Sequence, residues 1–79
     1  MIENNMTVTA NGRTYKVEAV LGVGPNMAKM SPELTGQFGV TGARGSVAML
    51  QTYRNGSARM IFTSSSKVEN VMPGNLTVA

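Results

Sequence analysis

The chain lacks cysteine, histidine, aspartate and tryptophan among its 79 residues. Without cysteine it cannot form a disulfide, and without cysteine, histidine and aspartate it cannot assemble the usual zinc or transition-metal ligand set. We therefore predict no metal and no cofactor. The same absences remove the pairs that most often carry acid–base and nucleophilic catalysis near neutral pH. Since four glutamates are the only side-chain carboxylates, we predict that the protein is not an enzyme.

Charged and aromatic residues are scarce, at 14% and 5% of the chain. Seven lysines and arginines give a net charge of +3, but they form no basic run of the kind that marks a dedicated duplex-binding protein. The charge therefore biases the partners only slightly towards anions. Because no apolar segment approaches the ~20 residues that span a bilayer and the first residues are polar, we predict a cytoplasmic protein without membrane contact.

The length predicts one small β domain over residues 1–79, with residues 1–5 frayed. A domain of about 60 residues buries only about 60% of the surface that its unfolded chain exposes, so its core is marginal. Neither disulfides nor metals are there to supplement it, and self-association is the remaining common device. Seven methionines suit an adaptable core or contact surface. We therefore predict a homo-oligomer.

The stretch MTVTANGRTYKV, residues 6–17, carries the strongest hairpin signal in the chain. Its Asn-Gly pair at residues 11–12 separates two alternating segments, as in a two-residue β-turn. With that loop, Val8 faces Tyr15 on a mostly apolar side, and the opposite side is wholly polar. A slip of one residue would mix the two faces, so the pattern specifies the register.

A second Asn-Gly pair, residues 55–56, lies within SVAMLQTYRNGSARMIFTS. A two-residue loop pairs Leu50 with Ile61 and Ala48 with Thr63, and leaves large apolar groups on both faces. A half-exposed hairpin shows one polar face, so the second face must be covered by the far wall of a barrel, a neighbouring segment or another copy. A four-residue loop, which changes the pairing, stays open. We predict a subunit contact at Ala48, Leu50 and Ile61.

The remaining segments predict short elements. Prolines and glycines break residues 22–37, which leaves one helical turn at residues 26–30 with Met30 on its buried side. Short strands are predicted within residues 67–72 and 75–79, separated by a Pro-Gly turn.

Together these elements predict an all-β fold of five to six short strands, with two Asn-Gly hairpins and a short helical turn between them. The architecture that fits is a small antiparallel barrel of the SH3-like or OB-like kind, or a meander sheet that closes by oligomerising. Closure is favoured because an open sheet of this size would expose unpaired strand edges, with few charges to discourage pairing with other copies.

The stretch VTGARGSV, residues 40–47, places an arginine between two glycines within strand-like sequence. We interpret Gly42 and Gly45 first as a bend, since glycine admits backbone angles that other residues resist. Glycines also leave backbone N–H groups uncovered, and the planar fork of Arg44 matches a phosphate or carboxylate. The stretch therefore also predicts an anion contact.

Two functions follow from these residues. The first is a non-catalytic, homo-oligomeric binding protein that holds a phosphate-bearing ligand, either a nucleotide or nucleic acid. The predicted binding residues are Gly42, Arg44, Gly45, Tyr53, Arg54 and Arg59. The second is a protein-interaction, inhibitor or structural accessory protein, of phage or mobile-element origin, that docks through an exposed Met, Leu and Ile sheet face.

Overall fold

The computed structural model describes residues 2–79, which form one antiparallel sheet and one short helix. The strands are β1 (Thr7–Ala10), β2 (Arg13–Val20), β3 (Leu34–Thr41), β4 (Val47–Tyr53), β5 (Ala58–Phe62), β6 (Val68–Val71) and β7 (Leu76–Val78). Helix α1 (Pro25–Met30) lies between β2 and β3. The all-β prediction is confirmed, with seven strands where the sequence predicted five or six.

The two edges of the sheet are strands that follow each other in the chain. The strand order is β6-β5-β4-β3-β2-β1-β7, yet only residues 72–75 join β6 to β7. A flat sheet of seven strands would hold its edges roughly 29 Å apart at about 4.8 Å per strand. The short connection spans at most about 18 Å. The sheet therefore curls into a half-barrel, and its finer assignment as SH3-like or OB-like stays a prediction.

Side chains of the β1–β2 turn bridge the gap between the sheet edges. Arg13 forms an ion pair with Glu69 on the edge strand β6. The Asn11 side-chain amide donates to a Glu69 carboxylate oxygen at 2.9 Å and to the Asn70 carbonyl at 3.1 Å. On the other edge, the Asn11 backbone N–H donates to the Asn75 carbonyl at 3.0 Å. We call the contacts of Asn11 and Arg13 with β6 the seam.

The first hairpin has the predicted register. Val8 pairs with Tyr15, and the two residues are 0% and 4% exposed. Asn11 and Gly12 both have positive φ angles, 51° and 81°, as a type I′ turn requires. Turn chemistry and hydrophobic alternation agree here, and together they define the pairing.

The second Asn-Gly hairpin, β4–β5, differs from the pairing that a two-residue loop predicts. Residues 54–57 join the strands, and Leu50 pairs with Met60. The Gly56 N–H donates to the Tyr53 carbonyl at 3.0 Å, with Gly56 at φ 90°, where glycine is free of steric cost. The predicted pairing is wrong by one residue because the chain uses the longer loop. That shift puts Leu50 and Met60 on the same inner face.

The register shift corrects the predicted subunit contact. Ala48 and Leu50 are 2% and 0% exposed, within the core of the single chain, so they offer no surface to another copy. Ile61 instead pairs with Met49 on the outer face. The inner faces of the strands form the core, whose buried residues are Val8, Ala10, Tyr15, Val17, Phe38, Val40, Ala48, Leu50, Ala58, Met60 and Val71.

A line of small and apolar residues crosses the outer face of the sheet. Register pairs join Ala19, Gly39, Met49, Ile61 and Val68 across five neighbouring strands. Val68 is 50% exposed, and the other four are half-buried. We call this line the outer apolar row. Both faces of the β4–β5 hairpin therefore carry large apolar side chains, as the sequence indicated.

The helix and the first residues differ from expectation in their packing. Helix α1 occupies the predicted position, but none of its residues is buried and Met30 is 80% exposed. Of the segment predicted to fray, Met1 lies outside the described residues, whereas Ile2 packs against the core. The Asn5 N–H donates to the Val17 carbonyl at 2.8 Å.

No helix within residues 2–79 has the length and apolarity to cross a lipid bilayer.

Acid is expected to weaken the seam. Hydrogen bonds from Arg13 and Asn11 hold the pKa of Glu69 below its ordinary value of 4.5. The folded state therefore favours the ionised carboxylate more strongly than the unfolded state does. This stabilisation is complete above about pH 4.5 and is lost as the pH falls through the lower pKa of the folded state. We expect Glu69→Gln to lower the thermal unfolding temperature at pH 7 and to flatten its decline below pH 5, as followed by circular dichroism.

The control for this prediction is Glu33→Gln. Oε2 of Glu33 lies 3.7 Å from Nε of Arg54. Both side chains are 71% exposed, so their pairing contributes little to stability. Its variant should keep the wild-type acid profile. Equal flattening in the two variants would show that general charge, and not the seam, sets the acid sensitivity.

Candidate anion-binding site

The arginine between two glycines lies in the turn that joins β3 to β4. The Gly42 N–H donates to the Ser46 carbonyl at 2.8 Å, and the Ser46 N–H donates to the Ala43 carbonyl at 3.2 Å. A 3₁₀ turn, Ala43–Gly45, forms the tip. The predicted bend is thus a full hairpin turn between the predicted flanking strands.

Arg44 has a backbone conformation that is unusual for its residue type. Its φ and ψ are 60° and 30°, in the left-handed region. Turns of this kind favour Asn, Asp or Gly at such positions. A residue with a bulky side chain costs roughly 1–2 kcal/mol there. Folding alone would favour a different residue, so the conformation supports a functional role for the arginine side chain.

Gly42 has a packing role in this turn. A Cβ atom at this position would lie 2.8 Å from two ring carbons of Tyr15, well inside van der Waals contact. Only glycine at this position lets the Tyr15 ring lie against the turn. In that place Tyr15 is 4% exposed. Gly45, at φ 75°, completes the turn. The two glycines predicted as ligand-binding residues therefore shape the loop that carries Arg44.

Three loops converge on a groove beside this turn. A depression of about 420 Å³ is lined by Arg13, Arg44, Ser46 and Phe62. It continues, through the shared residues Arg13, Ser46 and Phe62, into a depression of about 210 Å³ that reaches Lys67. We call these two depressions together the loop groove. It brings together Arg13, at the start of β2, with side chains from the β3–β4 and β5–β6 connections.

The loop groove is positively charged. It is lined by three cations, Arg13, Arg44 and Lys67, and by one carboxylate, Glu69, which leaves a net charge of +2. The hydrogen bond to Glu69 raises the pKa of Arg13 and fixes its guanidinium at the edge of the groove. Within residues 2–79, Arg44 and Lys67 form no ion pair. The hydroxyl group of Ser64 adds a neutral donor. The groove can therefore accept an anion.

The other predicted site residues lie elsewhere. Arg44 precedes β4 and Arg54 follows it, so about 20 Å of strand separates them. The Nε atom of Arg54 lies 3.7 Å from Oε2 of Glu33, and this contact partly neutralises the charge of Arg54. Tyr53 and Arg59 line a different cleft, of about 430 Å³, near the β4–β5 loop. The structure thus separates residues that the sequence had assigned to one site.

The sequence did not indicate that Arg13 and Lys67 lie beside Arg44. They lie 54 positions apart, and only the curvature of the sheet brings their loops together. One signal in the sequence could have indicated this. The Pro-Gly turn joins the last two predicted strands, β6 and β7, which must therefore lie close together. Because β7 pairs with β1 of the first hairpin, β6 comes to lie near that hairpin once the sheet curls.

Comparisons of the chain with protein-family models, with curated proteins and with solved structures found no match. The chemistry of the residues therefore carries the functional assignment. Two observations bear on it most directly. Within residues 2–79, Arg44 and Lys67 form no ion pair, and Arg44 has a left-handed backbone conformation.

Replacing Arg44 by asparagine is expected to stabilise the fold. Asparagine tolerates the left-handed conformation, so Arg44→Asn should raise the free energy of unfolding by up to about 1 kcal/mol. Urea denaturation measures the change. Arg44→Ala provides the comparison, because it removes the same charge without easing the backbone. An equal gain in both variants would mean that charge repulsion, rather than backbone conformation, is the source.

Proposed function

We propose that the protein is a non-catalytic binding protein that holds a phosphate-bearing ligand, a nucleotide or a short stretch of nucleic acid, in the loop groove. The observation that carries the proposal is the convergence of Arg13, Arg44 and Lys67 from three distant segments. Of the described residues that line the groove, Glu69 is the one that is acidic. A phosphate monoester carries about −1.5 to −2 charges at pH 7, which the net charge of the groove complements.

The groove residues have distinct roles in this proposal. Arg44 offers a planar fork that pairs with two phosphate oxygens, and Lys67 supplies a compact point charge. Glu69 holds Arg13 in place from the side. The ring of Phe62, which is half-buried, offers a face on which a base can stack.

Binding of a short single-stranded oligothymidine tests the role of Arg44. A hydrogen bond to a charged group contributes about 1.5–3 kcal/mol, so we expect Arg44→Asn to weaken binding about tenfold or more. Fluorescence anisotropy of the labelled oligonucleotide gives the affinity. The affinity of the wild-type protein should fall steeply with salt, because phosphate contacts release counterions.

Arg54→Asn is the matched control for this experiment. It makes the same residue change in an exposed arginine at the far end of β4, and should leave the affinity within about twofold of wild type. Equal losses in the two variants would show binding by net charge alone. An affinity that does not change with salt would contradict phosphate recognition.

A second candidate function is self-association or protein docking through the outer apolar row. Val47 and Val68 are 46% and 50% exposed, beside Met49 and Ile61 on the same face. The partner that we propose is another copy of this chain, which would repeat the loop groove and increase its avidity for a polyanion. Docking of a different protein on the same face is the rival interpretation.

Two glutamate substitutions test this candidate. Ile61→Glu places a charge on the outer face, so it should leave the fold intact and shift the native mass spectrum from oligomer to monomer. Leu50→Glu places the charge at a position that is 0% exposed, and should destabilise the fold by about 4 kcal/mol or more. A wild-type protein that is already monomeric, or an oligomer that survives Ile61→Glu, would contradict self-association through this row.

A further inference from the structure

Arg59 is held in a fixed orientation by a chain of hydrogen bonds on the outer face. Its Nε and Nη2 atoms donate to the Gln51 side-chain oxygen at 3.3 and 2.9 Å. The Gln51 amide donates to the Gln37 side-chain oxygen at 3.0 Å, and the Gln37 amide donates to the Gly22 carbonyl at 3.0 Å. Because a guanidinium only donates, it determines which way both amides point. Gln51, whose side-chain oxygen accepts both hydrogen bonds from Arg59, is 5% exposed.

Part of the Arg59 guanidinium remains available. Of the five N–H groups of a guanidinium, the Gln51 oxygen engages two. The Nη1–Nη2 edge keeps two parallel N–H groups, the arrangement that binds both oxygens of a carboxylate. Arg59 is half-buried and forms no ion pair within residues 2–79. A partly desolvated cation without a counter-ion favours the binding of an anion.

The cleft that Arg59 lines is otherwise neutral. It has a volume of about 430 Å³, and Tyr53, Met72 and Pro73 give it apolar surface. Asn70 pairs with Arg59 across β5 and β6 and contributes an amide. Among residues 2–79, Arg59 is the one charged residue that lines the cleft. It thus offers one fixed cation, apolar walls and neutral polar groups.

We propose that this cleft is a binding site for a small monocarboxylate with a flat apolar body. A single guanidinium edge matches the charge and the planarity of one carboxylate, and the Tyr53 ring and Pro73 supply surface for the apolar part. A phosphate monoester, with nearly twice the charge, is better matched by the loop groove. The two sites are separate, so this one does not depend on the proposed function of the loop groove.

Benzoate, with benzamide as its neutral analogue, probes the site. The ¹⁵N-labelled protein is titrated with each compound at constant ionic strength, and the Arg59 side-chain Nε–H and the backbone amides of residues 53–59 and 70–73 are followed by NMR. We expect saturable shifts at these positions, with benzoate binding at least tenfold more tightly than benzamide. Arg59→Lys keeps the charge but loses the fork, and should weaken benzoate binding at least fivefold. Arg54→Lys is the matched control and should leave it unchanged.

A second variant leaves the anchoring of Arg59 intact. Asn70→Asp places a carboxylate directly across the strand pair from Arg59 and should weaken benzoate binding at least fivefold by competing for the guanidinium. The proposal is overturned if benzamide binds as well as benzoate, if Arg54→Lys has the same effect as Arg59→Lys, or if the benzoate shifts appear at the loop groove instead. Unchanged binding in Asn70→Asp would also overturn it.

Discussion

The short connection between β6 and β7 is the constraint on which the rest of the structure depends. Residues 72–75 must join the two edges of a seven-stranded sheet, and a flat sheet holds those edges too far apart. Curling gives the sheet an inside, where Leu50, Met60 and Val8 pack with almost no exposure. It also brings the first hairpin against β6, where Arg13 and Asn11 meet Glu69.

The same curvature assembles the loop groove. Arg13 comes from the first hairpin, Arg44 from the β3–β4 turn and Lys67 from the β5–β6 loop. None of these residues is near another in sequence, and each lies in or directly beside a connection between two strands. The seam and the groove share Arg13 and Glu69, so closure of the half-barrel and the charge of the candidate site are physically linked.

The sequence predicted elements wherever local chemistry was decisive. Asn11 and Gly12 suit positive φ angles and lie between alternating segments, so both the turn and the register of the first hairpin follow from local sequence. The second Asn-Gly pair is compatible with two loop lengths. The two lengths differ in whether Leu50 pairs with Met60 or with Ile61 on the neighbouring strand, and local patterning alone does not distinguish these pairings because both Met60 and Ile61 are apolar. The predicted contact at Ala48 and Leu50 failed for this reason.

The candidate site was predictable only in part, for a similar reason. Arg44 was found because two glycines flank it, although those glycines turned out to shape the turn. Arg13 and Lys67 reach the groove through the curvature of the whole sheet, which no short stretch of sequence encodes. Arg59 and Tyr53 were identified as ligand candidates, and the structure places them in a different cleft from Arg44.

We propose that closure of the sheet builds a phosphate-binding groove around Arg44. The most direct measurement is a titration of the ¹⁵N-labelled protein with ATP, with the shifted amides mapped onto the structure. We expect the largest shifts to fall together at Arg13, residues 43–46 and residues 64–67, with one common saturation curve. Shifts centred on Arg54 or Lys29, or small shifts spread evenly over all seven cations, would contradict it.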